Sequence, residues 1–288
     1  MPQRIQQLTP STISEQWYED GAVVDPGTVT VGITRADGST LVAAGTATNG
    51  TGTNPRTFNL SATHTALLDT LRVTWTSSTK GTLTSVVEVV GGFLFSLADL
   101  RAVATDTVAY PVSKLSEART YAESELEKAV GFALVPRYSR ETITTSRQLG
   151  MTQPYVKTGW PYVRAVRDAT SSGSPLDASQ IAQLTFTQNF VFGYTWPYTG
   201  VWNWTTGVVV IGYEHGLDAD NDLSPGARQA ALALAADYLG VSTTDGSIDP
   251  RATRIITVDG EVQLRQSAGQ FSAIGVNEWV AANRLPKV

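Results

Sequence analysis

The chain has 288 residues, 42% of them hydrophobic, which is enough to fill the cores of two domains. Only 16% of the residues are charged, and the net charge of -5 disfavours a general nucleic-acid binder, because affinity for phosphate comes from excess Lys and Arg. The absence of Cys excludes disulfides, thiolate metal sites and cysteine nucleophiles.

The N-terminal segment MPQRIQQLTPSTISEQ lacks the apolar core of a signal peptide. No stretch of the sequence reaches the ~18 apolar residues that a membrane span requires. We therefore expect no membrane segment.

Alternating apolar residues in the first third of the chain predict short strands. Residues 29–33 alternate, Asp37–Gly38 supplies a tight turn, and the next apolar stretch completes a hairpin. Residues 71–75 and 83–90 predict a second hairpin of β-branched strands. The pattern predicts an all-β immunoglobulin-like sandwich over residues 1–92.

The remainder, residues 93–288, is predicted to be a second domain, which gives an α+β multidomain fold. Ser96 and Asp99 form a capping box, Ser113 is the expected N-cap of the next helix, and Gly131 is expected to end that helix. Ser224–Pro225 begins an alanine-rich helix that is suited to close packing. The predicted helices cover about 96–103, 114–130, 225–239 and 275–283.

In the second predicted helix, Leu115, Ala118, Ala122, Leu126 and Ala129 recur at helical spacing and form an apolar face. The opposite face is expected to carry Glu123, Glu127 and Lys128.

Between the helices, residues of about 141–213 are predicted to form an inserted β-hairpin region, which a loop at 168–179 interrupts. The segment 186–204 of this insertion is dense in aromatic residues and has no charged residue. Aromatic faces bind sugars or bases, and they also anchor protein interfaces. The candidate interface residues are Tyr194, Trp196, Tyr198, Trp202 and Trp204.

Positive charge is concentrated in one segment, where six basic residues accompany only Glu141. This candidate basic face would meet an acidic partner or a DNA backbone, and scattered exposed arginines are an equally good interpretation. Its members are Arg137, Arg140, Arg147, Lys157, Arg164 and Arg167.

The stretch VIGYEHG, residues 210–216, is a candidate catalytic or metal site. Side chains alternate along a strand, so Glu214 and His215 are expected to face opposite ways. The chain offers too few His residues to bind zinc at this stretch. The Asp-rich loop after the strand is better suited to cap the next helix than to bind calcium. We predict no catalytic residue, no metal and no cofactor, and a structural hydrogen bond for His215.

Three segments resemble the head-to-tail connector (adaptor) proteins of long-tailed bacteriophages. They are the helix that ends in GFALVPR, the strand VVVIGYEHG, and the helix SPGARQAALALAADYL directly after it. The resemblance covers roughly residues 93–288. Residues 1–92 resemble, more loosely, the immunoglobulin-like modules that phages fuse to structural proteins.

The resemblance implies a helical bundle with a protruding β-region and no enzymatic activity. It implies a dodecameric ring in the virion neck, which docks on the portal, continues the channel for double-stranded DNA and meets a tail-side stopper or tail terminator protein. Assembly would take place in the host cytoplasm. Low charge and small-residue helices also suit a ring.

Two other functions stay open on the residues alone. The aromatic segment would also suit a carbohydrate-binding or host-recognition protein. A hydrolase that uses Glu214 and His215 is the third alternative, although no nucleophile motif supports it.

Overall fold

The computed structural model describes residues 2–48, 52–103, 110–144, 155–171, 173–187, 190–193, 208–218, 224–239, 254–257, 260–263 and 276–285. The chain divides into two compact units. The β-unit contains Pro2–Gly92 and Val135–Gly216, and the helical unit contains Phe93–Leu134 and Leu217–Val288. The predicted α+β class is confirmed, with strands the more abundant element. A domain boundary at residue 92 remains a prediction.

The N-terminal part of the β-unit is a set of short strands. They are β1 (Gln3–Gln6), β2 (Ser11–Glu15), β3 (Tyr18–Glu19), β4 (Ala22–Val23), β5 (Val29–Thr34), β6 (Thr40–Thr46), β7 (Arg56–Leu60), β8 (Asp69–Ser77) and β9 (Gly81–Val90). Five of them form a sheet in the order β1-β9-β8-β5-β6, and β2 pairs with β7.

Both predicted hairpins are confirmed, since β5 pairs antiparallel with β6 and β8 with β9. Alternate residues of β5 and β8 are buried and pack against Ile13 of β2 and Leu60 of β7. Two layers therefore enclose this core, and the immunoglobulin-like topology remains a prediction. Strand β1 has no counterpart among the predicted elements, and it pairs parallel with the end of β9.

The second part of the β-unit begins after the second long helix. Its elements are β10 (Arg137–Thr144), β11 (Tyr155–Lys157), β12 (Val163–Ser171), β13 (Ser174–Pro175), α3 (Ala178–Ala182), β14 (Leu184–Thr187), β15 (Phe190–Gly193) and β16 (Val208–His215). Two sheets result, with strand orders β10-β16-β12-β13 and β11-β15-β14.

The prediction that residues 168–179 form a loop is wrong. Strand β12 continues to Ser171, a short hairpin to β13 follows, and α3 begins at once. Asp177 is the N-cap residue of α3 and stabilises its start. Its carboxylate accepts the Gln180 N–H at 2.9 Å, and the Gln180 side chain accepts the Asp177 N–H at 2.9 Å. This is a complete capping box.

The helical unit contains α1 (Leu97–Val103), α2 (Val112–Val130), α4 (Ser224–Tyr238), α5 (Val276–Asn283), and the hairpin strands β17 (Arg254–Thr257) and β18 (Gly260–Gln263). Helix α4 contacts α1, α2 and α5. Among the described residues, no helix combines the length and apolarity that a membrane crossing needs.

The sequence predicts only some of the helix ends correctly. The capping box is confirmed, since Ser96 accepts the Asp99 N–H at 3.1 Å and Asp99 accepts the Ser96 N–H at 2.8 Å. The prediction that Ser113 caps α2 is wrong, because Pro111 occupies the N-cap position with extended backbone and the helix begins at Val112. Gly131 ends α2 as predicted, in the left-handed region at φ 85°.

The prediction that Glu123, Glu127 and Lys128 form an exposed polar face of α2 is wrong for two of these residues. Glu123 and Glu127 are each only 1% exposed. Glu123 accepts the Leu94 N–H at 2.8 Å, and Glu127 accepts the Leu134 N–H at 3.1 Å. The two carboxylates therefore hold the chain segments that lead into and out of the helices, which the periodicity within one helix does not indicate.

Helices α2 and α4 approach each other through small side chains. The buried alanines are Ala118, Ala122 and Ala129 on α2 and Ala227, Ala230, Ala231, Ala235 and Ala236 on α4. At the end of α4, Tyr238 donates a hydrogen bond to Glu117 at 2.7 Å, and its ring lies 4.6 Å from that of Tyr121. Small residues permit the close approach, and Tyr238 links the end of α4 to the start of α2.

Replacing Glu127 tests the role of the buried carboxylates. In Glu127→Leu the Leu134 N–H loses its acceptor in a buried site, so we expect the free energy of unfolding to fall by about 1–3 kcal/mol. Glu127→Gln keeps an acceptor and should lose less. The matched control is Glu125→Leu, which removes only the ion pair that Glu125 forms with Lys128 at 3.9 Å. Equal losses for Glu127→Leu and Glu125→Leu, measured by urea unfolding, would contradict this role.

Candidate functional site

A cleft of ≈ 610 Å³ opens in the β-unit along strand β10. Six consecutive residues, Arg137–Thr142, line it on one side. The other lining residues are Thr70 of β8, Glu88 of β9, Ala36 of the turn between β5 and β6, Trp160 and Val210. The cleft therefore lies where the two parts of the β-unit meet.

Glu88 joins the two parts of the β-unit at the rim of this cleft. Its carboxylate lies 2.5 Å from Arg137 and 3.2 Å from Arg4. Beside it, the Gly91 N–H donates to the Pro136 carbonyl at 2.8 Å. Because the Arg4 side chain is only 1% exposed, this charge cluster is largely shielded from salt.

Acidic partners occupy much of the candidate basic face. Arg137 pairs with Glu88, Arg140 with Asp168, and Arg167 with Glu214 at 2.9 Å. Lys157 and Arg164 are exposed, and Arg147 lies outside the described residues. The segment therefore presents less positive charge than its composition indicates, and its binding to an acidic partner or to DNA remains a prediction.

One face of the four-stranded sheet carries a polar cluster around Asp168. Asp168 accepts hydrogen bonds from Arg140 and from the Tyr138 hydroxyl. Burial, with the nearby Asp168 charge, raises the pKa of Tyr138 to about 12, so its hydroxyl stays protonated and donates. A Cβ at Gly212 would collide with the Tyr138 hydroxyl and with Asp168, so glycine is required for this approach.

A second cluster surrounds Glu141. Its two carboxylate oxygens accept hydrogen bonds from the Tyr213 hydroxyl at 2.5 Å and from the Gly159 N–H at 2.8 Å. Burial first, and the hydrogen bond to Glu141 second, raise the pKa of Tyr213. The Tyr213 oxygen also accepts the Trp160 N–H at 3.1 Å, so this network fixes Trp160 at the cleft.

His215 is a structural residue of this region. It is 1% exposed, its Nε2 lies 2.9 Å from the Ser139 hydroxyl, and its ring stacks on Trp160 with centroids 5.4 Å apart. Burial, with a smaller contribution from Arg137, lowers its pKa to about 3. The hydrogen bond predicted for His215 is confirmed. Gly216, at φ 103°, then directs the chain out of the strand.

Glu214 and His215 have separate partners, as strand alternation predicts: Glu214 bonds to Arg167 and His215 to Ser139. A histidine with a pKa near 3 is a weak general base at neutral pH. Its Nδ1 has no hydrogen-bond partner among the described residues, so no described carboxylate orients the ring. This pair does not have the geometry of a hydrolase site.

The described part of the chain contains no group of three or more His, Asp or Glu residues that could hold a metal ion. Asp220 and Asp222 of the acidic loop lie outside the described residues.

The candidate aromatic interface residues, Tyr194, Trp196, Tyr198, Trp202 and Trp204, lie outside the described residues. Directly before them, Phe190 and Phe192 of β15 pack with Tyr155 at centroid distances of 5.2 and 6.3 Å. The interface role of the five residues remains a prediction.

Glu88, Ser139 and Trp160 are site residues that the sequence does not predict. Glu88 lies 49 residues before Arg137, and Ser139 lies 76 residues from His215. Trp160 stands outside any periodic segment. No local pattern identifies such pairs, because strand pairing between distant segments brings them together.

No protein-family model matches the chain, and no curated protein is similar to it. Among solved structures, a chain in the neck of an empty gene transfer agent particle computed with C6 symmetry has 15% sequence identity to this chain and a TM-score of 0.43. The match covers 68% of this chain and 91% of that chain. A chain in the neck of the native particle computed with C12 symmetry has 15% identity, a TM-score of 0.41 and coverage of 68% and 96%.

A chain in the virion of the native gene transfer agent has 16% identity, a TM-score of 0.43 and coverage of 68% and 91%. At TM-scores this low, the matches do not establish a common fold.

The pKa of His215 leads to a prediction on pH dependence. The folded pKa, about 3, lies below the ordinary value of 6.5. The unfolded state therefore binds the extra proton first, and stability is lost as pH falls from above 6.5 toward 3. Between pH 7 and pH 5 we expect His215 to lower the free energy of unfolding by about 2 kcal/mol.

Urea unfolding of the wild type and of His215→Gln at both pH values measures this contribution. Gln keeps a neutral hydrogen-bonding group and does not titrate. The stability difference between the two proteins should therefore shrink by about 2 kcal/mol at pH 5. A difference that is the same at both pH values would show that His215 is protonated in the folded protein.

Proposed function

We propose that the chain is a structural protein of a phage-like virion neck, where identical copies form a ring. The observation that carries the proposal is the joint between the three segments that resemble connector proteins. Helix α2 ends at Gly131, the β-region is inserted after it, and α4 follows β16. The Leu217 N–H donates to the Ala133 carbonyl at 3.2 Å, which ties the segment leaving the β-region to the segment entering it.

Glu127 strengthens the same joint. Its backbone carbonyl accepts the Gly131 N–H at 2.9 Å, and its side chain accepts the Leu134 N–H. One residue of α2 thus fixes the helix end and the start of the inserted region. The helical unit with a β-region inserted between α2 and α4 has the order of elements that the resemblance implies.

The site chemistry supports a structural role over a catalytic one. The charged residues at the cleft are engaged with each other in ion pairs and hydrogen bonds. His215, the best catalytic candidate in the sequence, is buried and neutral at pH 7. These ion pairs and hydrogen bonds stabilise the sheet, and a histidine with a pKa of about 3 is a weak general base at neutral pH.

In this proposal the ring is a dodecamer in the neck of the virion, docks on the portal protein and continues the DNA channel. The net charge of -5 suits passage of double-stranded DNA, because a channel that bound phosphate tightly would retain it. The opposite end of the ring meets a tail-side stopper or tail terminator protein. Assembly takes place in the host cytoplasm, before the particle is complete.

The aromatic residues, including Trp196 and Trp202, are proposed to contact a neighbouring copy, the portal or the tail-side protein. An uncharged aromatic segment has the composition of an interface hot spot. Glycan binding is the competing outcome for these residues.

The mass of the full chain, alone and mixed with the portal protein of its particle, tests the neck function. We expect the portal to gain a mass that is an integral multiple of the chain's mass, twelve-fold for a dodecamer, because heterologous contacts that close produce a ring. Mass photometry gives the value directly. A chain that stays monomeric and does not bind the portal contradicts the proposal, and so does binding to a glycan array instead.

A further inference from the structure

The three-stranded sheet β11-β15-β14 has a buried face and an outer face. Val156 of β11 pairs with Val191 of β15, and both valines are buried in a core that they share with residues of β12 and β16. Successive side chains of a strand point to opposite faces. The neighbours of the two valines along β11 and β15 therefore lie on the outer face, and they are Tyr155, Lys157, Phe190 and Phe192.

Three aromatic rings form a cluster on this outer face. The Tyr155 ring lies 5.2 Å from the Phe190 ring and 6.3 Å from the Phe192 ring, and the two Phe rings are 6.4 Å apart. All three side chains are half-buried. We name this cluster the aromatic face.

Positive charge without a partner borders the aromatic face. Lys157 is exposed, and it forms no ion pair with any described residue. Thr185 of β14, which pairs with Phe192, is also exposed on the outer face. The sheet thus presents aromatic rings, a hydroxyl and one uncompensated cation.

The hairpin β3–β4 presents a second exposed apolar surface. Tyr18 lies directly opposite Val23 in the pairing of the two strands, so their side chains are neighbours. Tyr18 is 65% exposed and Val23 is 39% exposed, which shows that their own chain leaves both open. We name these two residues the hairpin patch.

The hairpin that presents this patch is anchored on the N-terminal core. Trp17 is 3% exposed within that core, Val24 packs against it, and the Val24 N–H donates to the Trp17 carbonyl at 3.1 Å. Lys80 also forms an ion pair with Glu19 at 2.6 Å. An anchored hairpin loses little conformational freedom when it binds, and this favours binding.

The tip of the hairpin has negative charge without a partner. Asp20 and Gly21 form the tight turn, with φ of 51° and 80°. Asp20 is exposed and forms no ion pair with any described residue, whereas Glu19 is paired with Lys80. The free charge beside the hairpin patch is therefore opposite in sign to Lys157.

We propose that the hairpin patch of one copy docks on the aromatic face of a second copy, with Asp20 next to Lys157. The inference rests on the proposed ring and names a contact that builds it. Burial of the two apolar surfaces would provide the attraction, and the opposite charges would orient the copies.

The charges favour this contact over a symmetric one. Two hairpins in contact would bring two Asp20 carboxylates together, and two aromatic faces would bring two Lys157 ammonium groups together, so like charges would repel. Hairpin against aromatic face pairs opposite charges and uses two different surfaces. Contacts of this heterologous type join copies head to tail and close into rings when the rotation allows it.

A cross-link between two single-cysteine variants of the full chain tests the contact. Ala22 on the hairpin and Thr185 on the outer face are exposed, and the chain has no Cys of its own. With a short bis-maleimide, a mixture of Ala22→Cys and Thr185→Cys should form a cross-linked dimer, and neither variant alone should do so. Absence of the dimer, or equal yields in the mixture and in one variant alone, would overturn the proposal.

An exchange of charges tests the orientation. By sedimentation equilibrium, Asp20→Lys and Lys157→Glu should each weaken self-association roughly fivefold, and the variant with both changes should associate like the wild type. The single changes shift the net charge in opposite directions, so general repulsion does not explain a loss in both. A loss in the double variant as large as the two single losses combined would overturn the proposal.

Removal of the tyrosine ring tests the apolar part of the contact. Tyr18→Ser should weaken self-association roughly tenfold, because a buried tyrosine is a frequent interface hot spot. Leu67→Ser is the matched control, since Leu67 is 48% exposed and lies outside the hairpin. Circular dichroism verifies that both variants fold. Equal association of the two folded variants would overturn the proposal, and so would a wild-type chain that stays monomeric at every concentration tested.

The outcomes for this contact and for the neck function are separable. If Tyr18→Ser joins a ring on the portal as well as the wild type does, the docking contact is wrong and the neck function stands. If positions 22 and 185 cross-link between copies and no ring forms with the portal, the docking contact stands and the neck function is wrong.

Discussion

Glu88 accepts hydrogen bonds from two arginines, Arg4 and Arg137, that lie 84 and 49 residues away along the chain. Together with the bond from Gly91 to Pro136, these contacts fix the start of β10 against the ends of β1 and β9. The cleft between the two parts of the β-unit lies beside this junction. Because its charges are partly buried, loss of one partner would leave the others in a poorly solvated site.

The local features of the fold are predictable from the sequence. The alternation in β5 and β8, the turn at Asp37–Gly38 and the capping box at Ser96 each depend on a few neighbouring residues. Local chemistry decides these elements, so a window of several residues contains the necessary information.

The wrong predictions concern features that depend on residues distant in the sequence. Glu123 and Glu127 look like surface residues of α2, yet each satisfies a backbone N–H outside the helix. The arginines of the basic segment look free, yet their carboxylates come from β9, β12 and β16. Long-range pairing also determines which strand is an edge, and the candidate cleft could not be predicted for that reason.

The same pairing gives the site its chemical character. Ion pairs occupy Arg137, Arg140 and Arg167, and burial keeps His215 neutral, so the cleft offers backbone hydrogen bonds and small polar contacts instead of reactive groups. A surface of that type suits assembly with another polypeptide. The proposed structural role agrees with a β-unit whose charged residues at the cleft are paired internally.

Residues 2–92 and 135–216 form one compact unit, and a distance measurement tests this directly. Spin labels on Thr84→Cys and Lys157→Cys, two exposed positions in the two parts, can be introduced cleanly because the chain has no Cys. A pair at Thr40→Cys and Thr84→Cys, within one sheet, is the rigid reference. Pulsed electron spin resonance should give a single distance distribution for the first pair that is as narrow as the reference. A broad or multiple distribution for the first pair alone would contradict the claim.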